Sequence, residues 1–82
     1  MDELEALTTV INLPLEKKLE LDVTVEGLSV IDLDFLYSEA ERIAKGARKY
    51  NAKATKDKIL GFNDRILVRA AYISLYGLPS SN

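Results

Sequence analysis

Arg48, Lys49, Lys53, Lys56 and Lys58 fall within the eleven residues RKYNAKATKDK, where Asp57 is the one acid. Bases at this density can line a phosphate backbone, with Tyr50 between them as a stacking ring. They can equally dock on an acidic protein face, or only keep a connector between helices solvated. Other polar groups at suggestive spacings are Asp32 with Asp34 and Glu39 with Glu41. Each such pair could hold a divalent cation only if both carboxylates faced the same way. On a helix, residues two apart point to different sides. Asp32 and Asp34 therefore read as the acidic start of a helix, and Glu39 with Arg42, three apart, as a surface ion pair.

Catalysis has little to draw on. The chain has no His and no Cys, so the usual base near neutral pH and the best side-chain nucleophile are both missing. Ser80 and Ser81 have no base near them in sequence. Tyr37, Tyr50, Tyr72 and Tyr76 sit on helical segments, where tyrosine more often edges a core or an interface. Neither GLPSSN nor GARKYNAK matches a dinucleotide fingerprint or a P-loop. The expectation is a non-enzymatic protein with no cofactor and no metal.

Charge is distributed unevenly. Residues 1–41 hold eleven acids and two bases, a formal charge of −9, and residues 42–82 hold two acids and nine bases, +7, giving −2 overall. Seven of those bases lie in 42–58, with one acid. Such a split points to electrostatic partnering. The acidic stretch can meet the basic one within a subunit, or in the next subunit, where complementarity would steer assembly and fix register. Alternatively, the basic segment binds nucleic acid, against which stands an isoelectric point near 5.

The elements that must position these groups begin with KLELDVTVEG. Leu19, Leu21, Val23 and Val25 alternate with Glu20, Asp22, Thr24 and Glu26, which predicts a strand ended by Gly27. TTVINLPL, with Thr9, Ile11, Leu13 and Leu15 on one face, is its preferred partner through a turn at EKK, Pro14 suiting an edge. The alternative for DELEALTTVI is a short helix capped by Asp2, with Leu4, Leu7 and Ile11 on one side. A helix follows, capped by Ser29 or Asp32, with Leu33, Leu36, Ala40, Ile43, Ala44 and Ala47 as its apolar stripe. Gly46 within it signals close packing or a loosening helix. A second helix, NDRILVRAAYISLYG, is capped by Asn63 and stopped by Gly77 and Pro79, with ATKDKILGF as a further helical turn before it. Ile66, Leu67, Ala70, Ala71 and Ile73 make it apolar over more of its circumference than one hairpin can cover, which points to a subunit interface or to a small core that takes two faces of its central helix.

The order hairpin, helix, helix, with Ala70 and Ala71 inside NDRILVRAAYISLYGL, resembles the head domain of the ZapA family, whose bacterial members form dimers and bundle FtsZ filaments. The resemblance implies a cell-division accessory role. In that family the second helix runs on into a long coiled coil, whereas this sequence stops at Asn82.

Together these features predict an α+β fold: an N-terminal β-hairpin (about 8–26) on two α-helices (about 30–50 and 56–77), completed by dimerisation. Residues 1–82 make a single domain, with 78–82 a flexible tail. A chain this short buries a little over half of the surface its unfolded form exposes, so reinforcement is expected. Without cysteine there are no disulfides, and without histidine an ordinary structural zinc site is missing, which leaves a well-packed minimal core or, as the preferred reading, homo-oligomerisation. The expected function is self-association and docking on a protein assembly. Arg48, Lys49, Lys53, Lys56 and Lys58 would form one contact patch, and Glu20, Asp22 and Glu26 the complementary one. No membrane contact is expected: the N-terminus lacks a signal-peptide pattern, and the run ILVRAAYISLYGL is too short to span a bilayer and broken by Arg69. That places the protein in the cytoplasm.

Overall fold

The computed structural model describes residues 2–53 and 63–79, with side chains as far as Lys49 in the first of these stretches. The described residues form four helices: α1 Glu3–Asn12, α2 Leu15–Glu26, α3 Val30–Lys53 and α4 Asp64–Tyr76. No strand occurs among the described residues. The fold is all-α, and the α+β expectation with its hairpin over 8–26 is wrong. The hairpin–helix–helix order behind the ZapA resemblance goes with it.

The error has a physical source in Pro14 and in the period of two. Leu13, at φ −67° and ψ 140°, is extended, as a residue before proline prefers. Pro14 then opens α2 as its N-cap rather than ending a strand at a sheet edge. Within α2 the alternating apolar residues split into two rows of spacing four. Leu21 and Val25 are buried, whereas Leu19 and Val23 face solvent. Alternation that would make one apolar face on a strand makes two opposed half-stripes on a helix.

α1 adopts the helical alternative. The Asp2 carboxylate accepts from the Glu5 N–H at 2.8 Å, satisfying one of the first-turn donors. The β-branched run that suggested a strand is accommodated because the Thr8 and Thr9 hydroxyls donate to the carbonyls of Leu4 and Glu5. The buried face is Ala6, Leu7 and Val10. It is rotated from the expected Leu4, Leu7 and Ile11, and Leu4 is exposed.

α3 and α4 follow the sequence closely. Ser29 caps α3: its Oγ accepts from the Asp32 N–H at 3.3 Å and donates to Asp32 Oδ2 at 2.6 Å. Leu36, Ala40, Ile43 and Ala47 are buried, with Leu33 and Ala44 packed at their edge. Asn63 caps α4 through the Ile66 N–H at 2.9 Å. Gly77 ends it at φ +81°, a left-handed φ that favours glycine, and sends its N–H back to the Ile73 carbonyl. The helical turn expected at ATKDKILGF, residues 54–62, lies outside the described residues.

α4 is the hub, packed against α1, α2 and α3. Leu67, Ala70, Ala71 and Ile73 are buried, and Ile66, Val68 and Tyr72 pack at the rim of the same core. A helix apolar over most of its circumference belongs inside, and here three other helices supply that inside. Its breadth therefore no longer argues for a subunit interface at Ile66, Leu67, Ala70, Ala71 and Ile73.

Candidate functional site

No cluster of three His, Cys, Asp or Glu side chains occurs among the described residues. Asp32 and Asp34 diverge as expected: Asp32 is engaged by Ser29, and Asp34 faces solvent. Glu39 accepts from Arg42 Nε at 3.0 Å. Tyr72 and Tyr76 stack with ring centroids 5.0 Å apart and planes tilted by 45°. The Tyr76 phenol is pushed above its ordinary value, first by partial removal from water and then by the negative charge of Asp32. An open groove of about 560 Å³ lies between the start of α1 and the second half of α3. Its charged lining is already committed: Asp2 caps α1, and Arg42 pairs with Glu3 and Glu39.

The two expected contact patches fare differently. Asp22, assigned by sequence to an exposed acidic face, turns inward. Its carboxylate accepts from Arg69 Nε and Nη2, each at 2.8 Å, and lies 3.5 Å from Arg65 Nε. Arg69 is buried, and this forked geometry is the strong form of the ion pair. The Arg69 hydrogen bonds hold the Asp22 carboxyl below its ordinary value. Partial burial opposes them, and the charges of Arg69 and Arg65 assist. Glu20 is exposed and paired with Lys17 at 3.3 Å within α2. Glu26 is exposed and makes no ion pair with a described residue. Arg48 and Lys49 are exposed on α3; the side chains of Lys53, Lys56 and Lys58 lie outside the described residues.

Acid and base therefore do meet within the chain, though among the described residues not at Arg48 or Lys49. Asp22 meets Arg69 and Arg65 of α4, and Glu3 of α1 meets Arg42 of α3. Several large apolar side chains remain exposed, Val30, Ile31 and Phe35 near the start of α3 among them. Leu15 (70% exposed), Leu19 (51%) and Val23 (69%) form a row along the outer side of α2, with the exposed acids Glu16, Glu20 and Glu26. A shallow depression at Leu19 and Val23 is edged by Glu16, Glu20 and Thr24. On α3, Lys45, Arg48 and Lys49 are exposed and make no ion pair with a described residue. The row at 15, 19 and 23 is present in the sequence as a spacing of four, but period-two alternation hid it.

No helix among the described residues is long and apolar enough to cross a membrane. Comparison of the chain with protein-family models, with curated proteins and with solved structures finds no match.

Proposed function

We propose that this chain is a non-catalytic assembly subunit that self-associates and docks on a larger protein assembly through its acidic and basic surfaces. The observation that carries this reading is the outer side of α2. Three large apolar side chains stand in solvent there beside three acids, in a chain whose α3 presents bases without described partners. Contiguous exposed apolar surface rimmed by polar groups is what interaction sites have. Composition supports binding over catalysis, because neither His nor Cys is available.

Sedimentation equilibrium at low and high salt, with and without a short labelled oligonucleotide, tests it. Self-association that weakens with salt, with the oligonucleotide left free, is the expected result. A monomer that retains the oligonucleotide, and releases it with a steep salt dependence, would overturn it in favour of phosphate binding by the basic 42–58 segment.

A further inference from the structure

We infer that the occupant of the α2 stripe is the basic outer side of α3 in a second copy of this chain, so that unlike faces meet. The inference rests on the assembly reading above and gives it two surfaces.

Charge decides the partner. Glu16, Glu20 and Glu26 stand with Leu15, Leu19 and Val23 on the outer side of α2. Two such faces set against each other would bring like charges together, which selects against that pairing. A complementary basic face is available on the same chain. Arg42 is committed to Glu3 and Glu39, Arg65 and Arg69 to Asp22, and Lys17 to Glu20. The bases that cluster without a described partner are Lys45, Arg48 and Lys49, within two turns of α3.

Their chemistry suits an apolar stripe as well as an acidic one. Lysine and arginine lay their methylene stems along apolar surface while the charged head stays in water or on a carboxylate. Stems from Lys45 and Lys49, four apart on one side of α3, can cover Leu19 and Val23 while their heads reach Glu16 or Glu26, or share Glu20 with Lys17. The α2 row spans eight residues, roughly 12 Å of helix, and Lys45 to Lys49 roughly 6 Å. The basic pair therefore fits within the length of the stripe. Asp22 takes no part, because it is held by Arg69.

Two complementary variants test the contact. One carries Leu19→Glu and Val23→Glu, the other Lys45→Glu and Lys49→Glu. All four positions are exposed, and circular dichroism with thermal melting verifies the fold of each. Leu19→Gln replaces the first variant should it melt early. Each variant alone is expected to sediment as a monomer under low-salt conditions in which the wild type associates. An equimolar mixture is expected to form one-to-one pairs, because one partner retains an intact α3 face and the other an intact α2 face. If the lysine variant alone associates like the wild type, or the mixture stays monomeric while the wild type associates, the unlike-face contact is wrong and the assembly reading stands. A wild type that stays monomeric at low salt overturns both.

Discussion

The guanidinium of Arg69 grips the carboxylate of Asp22 with two hydrogen bonds of 2.8 Å, joining the middle of α4 to the middle of α2. Arg69 is the one charged side chain in the described core, and it sits on the helix that touches the other three. The pair thus pins α2, whose other buried anchors are only Leu21 and Val25. It also fixes which side of α2 faces out, and so which acids are offered to a partner.

Removing one partner should be costly. Asp22→Ala leaves the Arg69 charge buried and uncompensated, and we expect a loss of about 3 kcal/mol in unfolding free energy by urea denaturation. Replacing both members with apolar residues, Asp22→Leu with Arg69→Met, should recover most of that loss. A double variant no more stable than Asp22→Ala alone would show that Arg69 is not the group left stranded.

The same pair sets an acid limit. The folded pKa of Asp22 lies below its unfolded value near 3.8. Its contribution is therefore complete above about pH 4 and is lost as pH falls through the lower folded value. The stability difference between wild type and Asp22→Asn, followed by thermal melting, should be constant near neutrality and shrink below about pH 4. A difference that holds constant into strong acid would show that the carboxylate charge is not what Asp22 contributes.

How much of this was legible in the sequence depended on which signals were local. The caps at Ser29 and Asn63, the stop at Gly77 and the α3 stripe were readable, because each is set by residues within one or two turns, whereas the cap at Asp2 was only the alternative to a strand. α2 was misread because Leu19, Leu21, Val23 and Val25 satisfy a strand's period of two, and a helix with half its apolar residues exposed violates the pattern that identifies helices. Pro14 was the discriminating residue: it ends α1 and opens α2. Arg69 was visible only as an interruption of an apolar run. A charge at position 69, among Ile66, Ala70 and Ile73, calls for a buried counter-charge, yet its partner lies 47 residues away and no local pattern points to Asp22. The breadth of α4 suggested a subunit interface or a core on two of its faces, and the chain's own α1, α2 and α3 pack against it.

That last point is testable at Ile73, which is 1% exposed. Ile73→Ala should cost about 2–5 kcal/mol, the loss expected for truncating a fully buried aliphatic side chain. The loss should persist at high salt and low protein concentration, where association is suppressed. A variant as stable as the wild type under those conditions, and impaired only in self-association, would return Ile73 to a subunit interface.

Gly46 makes the opposite prediction. It lies within α3, where glycine costs about 1 kcal/mol relative to alanine. A Cβ added there would come 3.2 Å from Oε2 of Glu3, tight for a methyl group but facing the end of a side chain rather than backbone. The carboxylate can move a few tenths of an ångström and keep Arg42, so Gly46→Ala should stabilise the fold by about 0.5–1 kcal/mol. In a domain of this size that raises Tm by roughly 2–8 °C. If Tm falls instead, Gly46→Ala should be compared with Glu3→Ala alone and with the double variant. A gain from Gly46→Ala that appears only once Glu3 is gone would show that the Glu3–Arg42 ion pair holds the carboxylate rigidly against α3, and that glycine is required there for the close approach of α1.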